Sequence, residues 1–280
     1  MKLILAFLNY ILFGNIFIAI CAVMLCIHTS LISDIALNTS FLLFIFCSTI
    51  SSYNLHAYFN SLPIAHSVRV EWVRKNRRTL LISFVFASID VFISIFWMVQ
   101  MIKWVIVLAI FTILYSSPRI LSKPGNFLKL IQSYKVFYLA LIWTVVTVLL
   151  PVIYADVKMD KEMAIFFANR YLFILQICLL FDYRDRYLLK PGDRQSILKY
   201  FDGRQFNFLF LIAGLGVLIT SGILLLQGSD MKGFSSMLVA EIFTILLFRK
   251  SLESHSDYWY NLVVDGLLLI PGIAFLLMKI

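Results

Sequence analysis

Long apolar runs recur along the whole chain, and they limit what it can fold into more than any other feature. Most of them reach the ~20 residues that a helix needs to cross the hydrocarbon core of a bilayer. With 61% hydrophobic and 14% charged residues, the chain has more apolar surface than a soluble domain can hide, since globular chains carry about 25% charged residues. The sequence therefore predicts an all-α, polytopic membrane protein, with residues 1–280 forming a single integral membrane domain.

The apolar runs predict about nine transmembrane helices. The fourth run is short and nearly continuous with the third, so the count depends on separating the two. The predicted spans cover roughly residues 3–27, 36–58, 79–99, 101–116, 134–154, 162–181, 206–227, 234–249 and 260–278. Merging the third and fourth spans would scatter the basic loops to both sides of the membrane, which favours the split.

The basic residues predict how these spans are oriented. With nine spans, the N-terminus and the loops after spans two, four, six and eight share one side, which carries most of the 24 Lys and Arg residues. Because basic loops stay in the cytoplasm, we expect a cytoplasmic N-terminus and an outside C-terminus, in a bacterial plasma membrane. The net charge of +9 then reflects topology. We expect the lipid bilayer as a partner and no nucleic acid.

The cysteines support neither a disulfide framework nor a zinc site. The four cysteines lie in apolar runs and form no Cys-x-x-Cys pair.

Four charged residues lie within the predicted spans: Asp90, Arg170, Glu241 and Asp265. Such charges are costly in a membrane and usually face the interior of a bundle. We expect Arg170 to pair with one of the three acids between helices, and a proton or substrate path is the alternative.

A polar segment from Phe181 to Arg194 is the first place to look for chemistry. Asp182 and Asp185 are three residues apart, so they share a face where the helix continues. Two carboxylates on one face, ringed by basic side chains, suit a hydrated divalent metal that bridges to a phosphate. A charged loop that keeps a helix end in water is the alternative.

A second polar segment closes the second predicted span. Ser52, His56 and Asn60 are spaced by four and form one polar stripe, with Asn54 on a neighbouring one. This stripe can contribute to a binding site, or it can supply hydrogen bonds between helices.

A third polar segment follows the fourth span. It reads Tyr115-Ser-Ser-Pro-Arg119, and Lys123 lies shortly after it. An arginine at this place can bind a phosphate with two hydrogen bonds. A basic flank that only sets orientation fits the residues equally well.

These three segments, in this order and on one predicted membrane face, resemble the UbiA superfamily of membrane prenyltransferases. The resemblance implies a UbiA-like helical bundle with magnesium ions held by Asp182, Asp185 and Asp193. It also implies Tyr115 and Arg119 as catalytic residues that face a diphosphate. We further expect substrate-binding roles for residues of the same segments: Asn54, His56, Asn60, Lys123, Arg184 and Arg194.

The first aspartate-rich motif of that family is degenerate in this chain. At the four defined positions of the family pattern Asn-Asp-x-x-Asp-x-x-x-Asp, this chain has Ser52, Tyr53, His56 and Asn60. All three carboxylates of the pattern are therefore missing. Histidine and asparagine are poor ligands for magnesium, which prefers carboxylate, phosphate and water oxygens.

Two functions from different classes follow. In the first, the chain is a divergent prenyltransferase that moves a polyprenyl group from its diphosphate to a lipid-soluble acceptor such as an aromatic ring, with Mg²⁺ as cofactor. In the second, it is a catalytically inactive UbiA-fold protein that binds an isoprenoid, a quinone-like lipid or a membrane partner. A transporter with Arg170 in a relay is a third hypothesis, against which the lack of visible internal repeats counts.

Overall fold

The structure is a computed structural model that describes residues 2–59, 67–116, 126–188, 196–228 and 230–279. Within these ranges the chain is helical and contains no strand. The helices of the N-terminal half are α1 (Lys2–Phe13), α2 (Ile16–Ser33), α3 (Thr39–Phe59), α4 (Val68–Lys75), α5 (Arg77–Trp97), α6 (Ile102–Ser116) and α7 (Asn126–Ser133). The helices of the C-terminal half are α8 (Lys135–Thr144), α9 (Leu150–Tyr154), α10 (Lys161–Leu188), α11 (Gly203–Leu226), α12 (Met231–Glu253) and α13 (Ile270–Lys279).

Seven of the described helical stretches are long and apolar enough to cross a membrane. They are Ile16–Ser33, Arg77–Trp97, Lys135–Tyr154, Lys161–Leu188, Gly203–Leu226, Met231–Glu253 and Trp259–Lys279. Two shorter apolar helices accompany them, and α3 has 21 residues but ends in the polar stripe. The all-α membrane class is confirmed, whereas the count of nine spans and the division into a single domain stay predictions.

The first predicted span is two helices rather than one. α1 ends at Phe13, and α2 begins at Ile16 after Asn15, whose φ of 64° is left-handed. A side chain at position 14 would collide with the backbone oxygen of Tyr10, so Gly14 allows the tight approach at this break. The break turns the Asn15 side chain towards the interior of the bundle, where it is buried.

A proline near the end of a span is accommodated by a π-helical turn. Val145–Leu149 is π-helical and joins α8 to α9, whose second residue is Pro151. Proline has no N–H to donate to the carbonyl of Thr147, four residues before it. The Thr29 hydroxyl of α2 donates to that carbonyl at 2.6 Å, so the freed oxygen remains satisfied inside the membrane.

α10 lies at the centre of the bundle and packs against α8, α11 and α12. It is the most buried of the candidate spans, and it continues past the predicted end at residue 181 to Leu188. The polar segment is therefore helical as far as Leu188, and Asp182 and Asp185 project from this helix.

α4 is a short helix outside the spans that is tied to Asp257, just before the last transmembrane stretch. Ser67 caps it by accepting from the backbone N–H of Val70. The Asp257 carboxylate accepts from the Ser67 hydroxyl and from the backbone N–H of Arg69, both at 3.0 Å. This link holds α4 across the end of the bundle, where a cavity opens.

Candidate functional site

A cavity of about 450 Å³ lies between α2, α3, α6, α8, α10 and the last transmembrane stretch. Polar lining residues gather at one end of the bundle, and they include His56, Lys135, Asp182 and Arg184. Deeper along the same helices the lining is apolar and includes Phe44, Ile45, Val146, Leu150, Ile174 and Leu268. The cavity therefore has a polar end and an apolar wall, the shape that suits an amphipathic lipid.

Two carboxylates of α10 converge on one ammonium group. Lys135 Nζ, at the start of α8, lies 3.0 Å from Asp182 Oδ1 and 3.6 Å from Asp185 Oδ2. The Asp182 side chain is only 4% exposed, so its charge needs a close partner. The predicted sharing of one face by Asp182 and Asp185 is confirmed, and the cation that they share is a lysine.

Arg184 is held between these acids and the last transmembrane stretch. Its Nη2 donates to Asp185 Oδ1 at 3.3 Å, and its Nη1 lies 3.6 Å from Asp257 Oδ1. The guanidinium also lies over the rings of Phe181 and Tyr260, at 5.1 and 4.8 Å from their centroids. These contacts fix its orientation towards the cavity that it lines.

Arg69 adds a second guanidinium from α4. Its Nη2 donates to Asn15 Oδ1 at 3.4 Å. Burial lowers the pKa of the Arg69 guanidinium, and the positive charge of Arg184 acts in the same direction, while Asp265 and Asp257 oppose them. Arg69, Arg184 and the two acids thus form one electrostatic cluster at the polar end.

Asp265 lines the same cavity from the last transmembrane stretch and is 8% exposed. Within the described ranges, no hydrogen bond or ion pair reaches its carboxylate. From the sequence, Asp265 was recognised only as a charged residue within a span, not as part of a site. Its place in the cavity follows from how the last stretch packs on α2, which sequence reasoning did not supply.

The facing helix α3 brings no carboxylate to the site. Ser52, Tyr53 and His56 line the cavity, and the Tyr53 hydroxyl accepts from Trp143 Nε1 at 3.0 Å. Asn54 is buried behind the lining, where its side-chain oxygen accepts from Asn15 Nδ2 at 2.7 Å. The polar stripe is thus divided between cavity wall and helix packing.

Several predicted site residues lie outside the described residues, and their roles stay predictions. They are Asn60, Arg119, Lys123, Asp193 and Arg194. Tyr115 belongs to the last turn of α6, but its side chain is outside the description.

The described side chains do not fit a magnesium ion as they stand. Among them, no group of three or more His, Cys, Asp and Glu could hold a metal ion. The Lys135 ammonium occupies the space between the two α10 carboxylates, and a divalent ion beside it would suffer like-charge repulsion. The predicted set of Asp182, Asp185 and Asp193 nevertheless stays a prediction, because Asp193 is not described.

The other charges within spans are engaged in helix packing. Arg170 donates to His28 Nδ1 at 2.5 Å and to the carbonyl of Leu25 at 3.4 Å, so its described contacts are not with an acid. Arginine can only donate; His28 therefore carries its proton on Nε2, which donates to Ser236 Oγ at 2.9 Å. The expected pairing of Arg170 with Asp90, Glu241 or Asp265 is absent from the described contacts.

Comparison with known proteins supports the fold. No protein-family model matches the sequence, and no curated protein matches it either. Among solved structures, the apo structure of a UbiA homolog from Aeropyrum pernix K1 matches with a TM-score of 0.66 over 94% of this chain and 98% of that one. This chain has a UbiA-like fold. The two sequences are 11% identical, so the likeness shows the fold alone, and it confirms the architecture that the resemblance implied.

Proposed function

We propose that this chain binds an isoprenoid lipid within the bundle, with the head of the lipid at the polar end of the cavity and its tail along the apolar wall. The observation that carries the proposal is the division of one 450 Å³ cavity into a charged end and an apolar interior. The UbiA-like fold supports it, because the resemblance to that superfamily implies an isoprenyl ligand. Burial of the tail supplies the affinity, at ~0.8 kcal/mol for each CH₂ group removed from water.

The charges at the polar end favour an uncharged head. The described cations are Arg69, Lys135 and Arg184, and the described carboxylates nearby are Asp182, Asp185, Asp257 and Asp265. These groups leave no surplus of positive charge to balance a diphosphate. A quinone-like or hydroxylated head, which only needs hydrogen bonds, suits them better.

Trp143 provides a direct test because it lines the cavity. We expect ubiquinone-1 to quench the tryptophan fluorescence of the detergent-solubilised protein in a saturable way. Trp143→Phe removes most of that quenching. Trp97→Phe, at an exposed position on the end of α5, leaves it in place. Quenching that rises linearly without saturation in the wild-type protein would exclude a defined site.

Prenyl transfer to a lipid-soluble acceptor is the second candidate. It is favoured by the convergence of Asp182 and Asp185 on a single cation at the end of α10. In this case, transfer from labelled geranylgeranyl diphosphate depends on Mg²⁺ and is lost in Asp182→Asn and in Asp185→Asn. Transfer that persists in both variants rules out these carboxylates as the centre of the reaction.

A further inference from the structure

Arg69 and Asp265 come from two different elements, and both line the cavity at its polar end. Arg69 belongs to α4, which lies outside the spans, and Asp265 belongs to the last transmembrane stretch. The two groups lie within electrostatic range of each other, but no ion pair or hydrogen bond joins them among the described contacts. A molecule in this cavity can therefore contact both side chains at once.

Arg69 offers N–H groups that are open to the cavity. Its backbone N–H donates to Asp257 Oδ2 at 3.0 Å, and its Nη2 donates to Asn15 Oδ1 at 3.4 Å. The N–H groups on Nε and Nη1 have no hydrogen-bond acceptor within the described part of the chain. Unlike the Nε and Nη1 atoms of Arg184, they keep some accessible surface. Arg69 is thus held in place at its backbone, while part of its guanidinium stays available to a ligand.

Asp265 offers a carboxyl group that is also open to the cavity. Cys21 Sγ donates to the backbone oxygen of Asp265 at 3.4 Å, and the carboxyl group itself has no hydrogen-bond partner among the described residues. The residue is 8% exposed, and neither carboxyl oxygen is fully enclosed. A carboxyl group accepts a hydrogen bond from a hydroxyl whether it is ionised or protonated, and the protonated form can donate as well. A hydroxylated ligand therefore satisfies Asp265 in either state.

The two side chains together define the head that fits between them. Arg69 needs an acceptor oxygen, and Asp265 needs a hydroxyl group. The hydroxyl groups of an aromatic ring can play both parts, because each of them donates and accepts. We propose that Arg69 and Asp265 bind the hydroxyl groups of an aromatic isoprenoid head, so that the ligand joins α4 to the last transmembrane stretch. This inference rests on the proposed lipid binding and names the residues that recognise the head.

The test compares two probes that differ only in their hydroxyl groups. Binding of prenylhydroquinone and of prenylbenzene to the detergent-solubilised full chain is measured by titration calorimetry under argon. We expect the wild-type protein to bind prenylhydroquinone at least about tenfold more tightly, because prenylbenzene makes no hydrogen bond with either side chain. The affinity for prenylbenzene reports on the apolar wall alone, so it also shows whether the cavity of each variant is intact.

Two substitutions of Asp265 separate hydrogen bonding from shape. Asp265→Leu cannot form a hydrogen bond, and we expect it to weaken prenylhydroquinone about tenfold. Asp265→Asn is the matched control, because its amide still accepts and donates hydrogen bonds. It should keep the affinity within about threefold of the wild type. Neither substitution should weaken prenylbenzene. An equal loss of prenylhydroquinone binding in both variants would contradict the assigned role of Asp265.

Arg69 provides an independent test on the other element. Arg69→Met keeps a long side chain without donors, and we expect it to weaken prenylhydroquinone about tenfold while prenylbenzene binds as before. Arg74→Met is the matched control, because Arg74 is exposed on the same helix and does not line the cavity. It should leave both affinities unchanged.

The outcomes separate this inference from the proposed function. If neither probe binds the wild-type protein, the lipid-binding proposal itself fails. If both probes bind the wild type with equal affinity, or if Asp265→Leu and Arg69→Met bind prenylhydroquinone as the wild type does, lipid binding stands and the hydroxyl-binding subsite is overturned.

Discussion

At the scale of single residues, the most informative contact is the one between Lys135 and the two α10 carboxylates. The sequence predicted that Asp182 and Asp185 share a face and hold a magnesium ion; they do share a face, and the described cation between them is the Lys135 ammonium. It did not predict Lys135 as that cation, because the lysine begins a different helix and reaches the acids only through the packing of α8 on α10. The Lys135 ammonium thus lies beside the two carboxylates that were expected to bind magnesium.

Removal of this ammonium should create a metal site. In Lys135→Met, Asp182 and Asp185 lose their shared cation, and two adjacent carboxylates then favour a divalent ion. We expect the variant to bind Mn²⁺ at least tenfold more tightly than the wild-type protein, measured by electron paramagnetic resonance of the free ion. Lys103→Met, at an exposed position near the start of α6, should not change Mn²⁺ binding. Equal Mn²⁺ affinity in the wild type and in Lys135→Met would show that the lysine does not keep a metal ion away from the two carboxylates.

At the scale of helices, α10, α11 and α12 meet at a single glycine. A Cβ at Gly214 of α11 would lie 2.5 Å from Glu241 Oε1 and 2.7 Å from Gln176 Nε2. These two atoms are joined by a 3.0 Å hydrogen bond, and both side chains are fully buried. The close approach of the three helices therefore depends on the missing side chain, as is common between membrane helices.

Gly214→Ala should consequently lower stability, although alanine favours helix. Displacement of either side chain breaks the hydrogen bond between Gln176 and Glu241, and we expect a loss of about 1–3 kcal/mol. Gly222→Ala in the same helix is the control, because no atom lies within 4 Å of its Cβ position. It should stay neutral or gain up to about 1 kcal/mol from helix propensity. Thermal unfolding in detergent measures both, and a Gly214→Ala protein as stable as Gly222→Ala would contradict the packing argument.

The sequence predicted the long helices well because hydropathy alone decides where a chain can cross a bilayer. α5, α6 and the helix from Lys135 to Tyr154 lie within two residues of their predicted bounds. The break at Asn15 and the short helix α4 were missed, because both depend on local backbone geometry and on a contact with the distant Asp257. Hydropathy carries no information about either.

At the scale of the whole molecule, the candidate site is less predictable than the fold. Asp182, His56 and Arg184 were predicted as site residues because they belong to polar segments that follow apolar runs, and all three line the cavity. Arg69, Lys135 and Asp265 also line the cavity, but they come from three separate elements. Their convergence is a property of the assembled bundle, so only the structure shows it.

The orientation of the bundle in the membrane decides which compartment the polar end of the cavity faces. The basic loops predict that this end, with Lys135 and Arg184, faces the cytoplasm. Cysteine labelling of intact cells with a membrane-impermeant maleimide tests this directly. We expect Lys158→Cys, exposed before α10, to react in intact cells, and Glu253→Cys, exposed at the end of α12, to react only after lysis. Of the native cysteines, three are buried and Cys47 lies half-buried within α3, so background labelling should be low. The reverse pattern would place the lipid head on the outer face, and the hydroxylated ligand would then have to enter from that side.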